Sequence, residues 1–217
     1  MKLGWMKAAA KVALAVAAAA GVWSAVPSAR AQALGASAPV TYKNKYELYG
    51  GLNYMVFRAG QTLPKRMNLG GAEVLGTYWV TPRWGVGVDY RGEAGTTQSL
   101  PNPYTTRPLV YMNILMGGAE YRGPKNQYAA LNLHGYFGMA HGVFDATTGN
   151  IPAQYANVGL YSNSTKPFGA IGGSVDINRS KNWAIRLSPD LILDHFGNSE
   201  RYYFAISGGV VHRFGKR

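Results

Sequence analysis

From Lys45 to Phe214 the chain alternates apolar and polar residues in short runs, separated by segments rich in Gly, Pro, Asn, Ser and Thr. The last run shows the pattern most clearly. Tyr202, Phe204, Ile206, Gly208, Val210, His212 and Phe214 share one side; Arg201, Tyr203, Ala205, Ser207, Gly209, Val211 and Arg213 share the other. Successive side chains of a strand point to opposite faces, so this alternation predicts one dry face and one wet face. The run from Glu200 to Phe214 is long for a strand of a globular sheet. It suits a tilted strand crossing a bilayer, which needs about 9 to 11 residues in the hydrocarbon.

Seven earlier runs read the same way: Lys45 to Arg58, Asn68 to Thr81, Trp84 to Ala94, Leu109 to Tyr121, Gln127 to Ala140, Pro167 to Asn178 and Asn182 to Asp194. In the third, Trp84, Val86, Val88 and Tyr90 oppose Gly85, Gly87, Asp89, Arg91 and Glu93. In the fourth, Val110, Met112, Ile114 and Met116 are the expected outward set, with a bulge at Gly117-Gly118 shifting the register before Glu120. Pro189 within the seventh run calls for a bulge or kink, since proline cannot donate to a ladder. Connections after odd-numbered runs are generally longer than those after even-numbered runs. One end of a barrel facing the periplasm and the other facing outward would give that asymmetry. An even number of strands returns both ends to the periplasmic side. The expectation is an all-β, eight-stranded antiparallel up-and-down transmembrane β-barrel. Aromatic belts are expected at both interfaces. Trp79, Trp84, Tyr121, Tyr128, Trp183 and Phe214 would form the one at the short turns; Tyr54, Phe57, Tyr90, Phe144, Phe168, Phe196 and Tyr202 the one at the long loops.

Export is legible at the N-terminus. Lys2, Lys7 and Lys11 precede the apolar run Val12 to Val26 and the small-x-small site Ala29-Arg30-Ala31-Gln32-Ala33, the three parts of a cleavable signal peptide. The expected division is residues 1–33 signal peptide, 34–44 a short leader and 45–217 the barrel. Without residues 1–33 the formal charge is 18 basic minus 10 acidic residues, or +8. The basic residues are scattered and the chain is exported, so nucleic acid is not the expected partner. There is no cysteine, hence no disulfide framework and no lipoprotein anchor.

The mature chain resembles the small eight-stranded outer-membrane barrels of the OmpA-like and OmpX-like families. The resemblance is carried by the alternating runs and by Gly209-Val210-Val211-His212-Arg213-Phe214, which looks like the C-terminal signal read by the barrel-assembly machinery. Two departures stand out: His212 replaces the first aromatic, and Gly215-Lys216-Arg217 follow the usually terminal Phe. The resemblance implies a place in the outer membrane, with Gly209, His212 and Phe214 as the assembly signal, and with outer-membrane lipids and the assembly machinery as partners.

The inward faces would collect Glu47, Glu73, Asp89, Arg91, Glu93, His134, Asp176, Arg186 and Asp190, together with Arg201 and Arg213. Eight strands leave an interior just filled by side chains, so these charges must pair or be hydrated. A charged plug is the expected reading, with a narrow porin-like pathway for ions or small solutes as the alternative. A lipid-modifying enzyme is the class rival, because His141, Asp145 and Ser162 or Ser164 lie near the outer end. No Gly-x-Ser-x-Gly is present and no histidine pair has metal-ligand spacing, so neither a catalytic site nor a metal nor a cofactor is expected. The function expected is structural or surface-interacting, adhesin-like, as a monomer, with Gly95–Pro108 and His141–Lys166 as the contact loops for extracellular ligands.

Overall fold

The structure is a computed structural model, and it describes residues 40–63, 65–100, 107–144, 159–197 and 200–216. The expected signal peptide, and residues 101–106 and 145–158 of the two expected contact loops, lie outside the described residues. Eight strands follow in chain order: β1 Asn44–Phe57, β2 Met67–Trp79, β3 Trp84–Thr96, β4 Leu109–Lys125, β5 Ala129–Val143, β6 Ser164–Asn178, β7 Trp183–Asp194 and β8 Arg201–Lys216. Each pairs antiparallel with the next, and β8 returns to β1, so the sheet closes. Closure leaves no free edge, which a lipid-exposed sheet requires because hydrocarbon offers no hydrogen-bond partner.

The outer wall is apolar over its whole circumference. Leu52, Val88, Leu115, Phe137, Ile171, Leu187 and Phe204 on seven different strands are exposed. A soluble monomer seldom presents a contiguous apolar patch above a few hundred Å², so this band needs lipid. Short turns close one end. The Thr81 amide donates to the Trp84 carbonyl, and the Asn126 side-chain oxygen accepts from the amides of Tyr128 and Ala129. Both described chain ends lie at that end.

β4 corrects the sequence reading. Val110, Met112, Ile114 and Met116 are buried in the interior, at 1% exposure or less, while Leu115, on the opposite face, is 57% exposed. Gly117 and Gly118 carry no bulge: pairing to β3 runs unbroken from Trp84–Tyr121 to Thr96–Leu109. The only shift on this strand comes later, against β5, between Arg122 and Lys125. Both faces of β4 are apolar in its first half, so alternation there cannot say which faces lipid. The ionic pair Glu120 and Arg122 sits on the same face as the methionines and pulls that face inward. Pro189 keeps its place against Ile206 of β8 without a register change. Against β6 the ladder skips from Gly172–Asp190 to Val175–Leu187, which spares the proline from needing an N–H.

The barrel lumen as candidate functional site

Inward-pointing residues divide the lumen into storeys. Nearest the short turns is an ionic cage. Glu47 of β1 accepts from Arg213 Nε at 3.0 Å, from Arg186 at 3.2 Å and from Arg122. Asp176 of β6 accepts from Arg186 Nε at 2.6 Å and from Arg213 at 2.8 Å. Two carboxylates are thus shared among three guanidiniums, all of them buried. The Arg122 guanidinium lies 3.6 Å from the centre of the Trp79 ring, a cation–π contact.

Above it stands a second group around Arg91. Its Nε donates to Asp89 at 2.8 Å and lies 3.5 Å from Glu73, and a terminal nitrogen donates to Asp190 at 2.7 Å. His134 meets the other oxygen of Asp190 at 2.7 Å, and Asn53 donates to Glu73. Glu120 accepts from the hydroxyls of Thr77 and Tyr136. Glu93 is 3% exposed, and neither of its oxygens has a hydrogen-bond partner. The expected interior network of Glu47, Glu73, Asp89, Arg91, Glu93, His134, Asp176, Arg186 and Asp190 is therefore all inside, but in two clusters and with Glu93 apart from both.

The third storey is apolar and fills the loop end. Phe57, Phe144, Phe196 and Tyr203 pack ring against ring with centroids 5.2 to 6.4 Å apart, and Tyr161 meets Phe144 edge-on and stacks on Phe196. Leu63 and Ala59 of the first loop join the same core, and the Tyr161 amide donates to the Ala59 carbonyl at 2.9 Å. Phe57, Phe144, Phe168 and Phe196 were expected in an external belt; they are buried inside. Trp79 is likewise not in the girdle but in the lumen under Arg122. Strand alternation settles the cases that lie within strands, Phe57, Trp79 and Phe168, whereas Phe144 and Phe196 follow the ends of β5 and β7. Phe57 and Trp79 share the parity of the inward acids Glu47 and Glu73 on their own strands.

The rest of the girdle is present. Tyr78, Tyr46, Phe214, His212 and Trp183 form an outward chain of rings across β2, β1, β8 and β7, at spacings of 4.3 to 5.7 Å. Trp84 stands against Tyr121 at 4.9 Å, and Tyr128 is exposed beside them on the turn before β5. His212 acts as an aromatic here, wedged between Trp183 and Phe214. Gly209 faces inward beside β1, where a methyl group would run into the backbone of Gly50 and Gly51.

Alternation hid three functional residues. Glu120 and Arg122 are completely inside, although Arg122 reads as a turn residue because Gly123-Pro124 follow it. Tyr42 lies in the leader, where no periodicity marks it. Its ring is buried across the short-turn mouth, and Arg122 and Arg213 each approach it at 5.1 Å. Its hydroxyl donates to the Asn126 carbonyl at 2.8 Å and accepts from Asn178 Nδ2 at 2.7 Å. Tyr42 is the one non-glycine among the described residues with a positive φ, 53°. A conformation that most residues avoid is held here by contacts from three strands, β4, β6 and β8, and from the β4–β5 turn. Burial pushes the Tyr42 hydroxyl pKa up, against the pull of Asn178 and the two arginines.

Of ten acidic residues in the sequence, eight are buried in the lumen: Glu47, Glu73, Asp89, Glu93, Glu120, Asp176, Asp190 and Asp194. Four arginines accompany them, Arg91, Arg122, Arg186 and Arg213. With histidine neutral, eight against four leaves the interior at a formal −4. Among the described residues no three acidic or histidine side chains converge as a metal site.

Comparison with solved structures settles the class. Ail, the attachment invasion locus protein of Yersinia pestis, superposes with a TM-score of 0.51 at 16% identity, over 79% of this chain and 99% of its own. Neisserial surface protein A gives 0.55 at 12% identity, over 78% and 97%. This chain has the fold of the small eight-stranded outer-membrane barrels. The outer membrane protein OprG of Pseudomonas aeruginosa, at a TM-score of 0.50 and 10% identity over 79% and 96%, shares it. A second structure of Ail holds the heparin analogue sucrose octasulfate. No protein-family model and no curated protein matches the sequence. At these identities the small barrels share an architecture and not a site, so the lumen must be interpreted from its own residues.

Proposed function

We propose that the chain is an outer-membrane barrel with a structural and surface-interaction, adhesin-like role, that its lumen is sealed, and that it is not an enzyme. Closure at both ends carries the reading. Tyr42 and the three guanidiniums stand across one mouth, and the Phe57, Phe144, Phe196 and Tyr203 group fills the other. A sealed lumen supports a scaffold over a channel. Histidine chemistry is also poorly served. His134 is committed to Asp190, and no serine hydroxyl is hydrogen-bonded to it among the described residues.

The outward-facing chemistry supports a polyanionic partner. Arg58, Lys65, Arg66, Arg107 and Lys166 stand at the loop end, and Glu200 is the one exposed acidic residue described there. Because the lumen takes up nearly all the acid, the surface is far more basic than the composition suggests. Fixed positive charge in excess attracts sulfated or phosphorylated polymers. Ail's complex with a heparin analogue supports the same class of ligand here. Retention of the folded barrel on immobilised heparin, eluted by salt, is the expected result. Arg58→Gln combined with Arg66→Gln and Arg107→Gln should elute at distinctly lower salt. Passage of the wild-type barrel without retention would rule the polyanion out. Steady single-channel currents through wild-type protein in planar bilayers would rule out the sealed lumen.

A further inference from the structure

At the short-turn end every buried carboxylate lies inside the wall, and the charged side chains outside it are, among the described residues, all cationic. Lys43, Lys45, Arg83, Lys125, Arg179 and Lys181 stand around this rim, and no described acidic residue shares its outer surface. Beside the β2–β3 turn is a shallow depression of about 640 Å³ lined by Thr81, Pro82, Arg83, Trp84 and Tyr121. Its floor is aromatic, since the Trp84 and Tyr121 rings pack 4.9 Å apart on the outer wall. Its lip is cationic. The exposed Arg83 guanidinium reaches the Tyr121 hydroxyl at 3.5 Å, the outer limit of a hydrogen bond, and makes no ion pair. Lys125 is held next to it by the Pro82 carbonyl at 3.1 Å.

We propose that this depression binds an anionic phospholipid of the periplasmic leaflet, a further function for the barrel wall that rests on the outer-membrane reading. Arg83 takes the phosphate in the bidentate geometry a guanidinium favours, and Lys125 adds a second charge. Trp84 and Tyr121 cover the glycerol and the first acyl methylenes, where amphipathic rings prefer to lie. Selection against zwitterionic lipid follows from what is missing. A choline or ethanolamine headgroup would bring its own cation against Arg83 and Lys125 with no carboxylate to receive it, and like-charge contact of that kind discriminates.

The test uses the full chain in nanodiscs of equal phosphatidylglycerol and phosphatidylcholine, with lipids retained on the barrel counted by native mass spectrometry. Enrichment of phosphatidylglycerol is expected. Arg83→Gln should lower it by about fivefold, and Arg83→Gln with Lys125→Gln further, at roughly fivefold per charge. Arg179→Gln, at the β6–β7 turn of the same rim and outside the depression, should leave it unchanged. Free glycerol phosphate should not compete, which separates a lipid site from a phosphate site. Equal retention of the two lipids by wild type, enrichment that survives the double substitution, or competition by glycerol phosphate would overturn the proposal. Insertion is scored separately by heat-modifiable mobility. A chain that fails to insert overturns the outer-membrane reading and this site with it; an inserted chain without selectivity overturns the site alone.

Discussion

Glu47→Gln tests the ionic cage directly. In the wild type, Glu47 and Asp176 face Arg122, Arg186 and Arg213, three positive charges against two negative. The substitution keeps the shape but leaves three against one, with all partners buried. Removing one member of a buried ion pair costs about 3–5 kcal/mol, because the remaining charge stays desolvated. Three guanidiniums lose their shared acceptor here, so a loss of about 4 kcal/mol is expected, a large part of the total stability of a domain. Urea unfolding of the refolded barrel in lipid vesicles, followed by heat-modifiable mobility, should show it. With a slope of about 2 kcal/mol per molar, the midpoint falls by about 2 M. Adding Arg122→Met returns the cage to two against one, the wild-type imbalance, and should recover much of the loss. Strong non-additivity is the signature of groups that share one network. A loss below about 1 kcal/mol, or strict additivity of the two substitutions, would refute the claim that Glu47 organises the cage.

Other expectations follow from the same interior. Tyr42→Ala removes three hydrogen-bond contacts, to Asn126, Ala129 and Asn178, and the ring beside two guanidiniums; a loss of about 2–3 kcal/mol is expected in the same urea assay. Currents should appear only when Tyr42→Ala is joined to Phe57→Ala and Phe196→Ala, and should then favour cations over anions because the lumen is acidic; anion-selective currents would contradict the charge count. The Tyr42 hydroxyl has a folded pKa raised above its unfolded value. Its contribution is therefore complete below the unfolded value near 10 and is lost as pH rises through the folded one. The Tyr42→Ala deficit, measured by urea midpoints, should hold at pH 7–9 and shrink only at more alkaline pH. Glu93→Gln removes a buried carboxylate that has no hydrogen-bond partner and feels Arg91 only through space, and should stabilise the barrel by about 1 kcal/mol; a clear destabilisation would show that the Arg91 attraction outweighs the burial cost. A cysteine at Leu115 should react with lipid-phase reagents and one at Ile114 should not, reporting the face of β4.

Much of this architecture could be read along the chain. Away from β4 each strand has one polar face, ionic on six strands and marked by Asn132, His134 and Tyr136 on β5, so parity alone placed Glu47, Asp89, Arg91, Asp176 and Arg186 inside and Val88, Phe137 and Leu187 outside. β4 failed because its first half is apolar on both sides, and its decisive charges, Glu120 and Arg122, come at the far end beside Gly-Pro. Phe57 and Trp79 failed for another reason. Strand-end aromatics suit a lipid interface and a lumen mouth equally, and only their parity relative to a distant acid separates the two. Tyr42 lay outside any periodic run.

The amino-acid order by itself determined the number of strands and their alternation, because a period of two and the turn residues are local properties of a backbone. Which carboxylate meets which guanidinium was decided only by closing the ring. Glu47 and Arg213 are 166 positions apart, and pairing β1 with β8 brings them to 3.0 Å. The same closure put most of the acid inside and left the base outside, a separation of charge that no composition records.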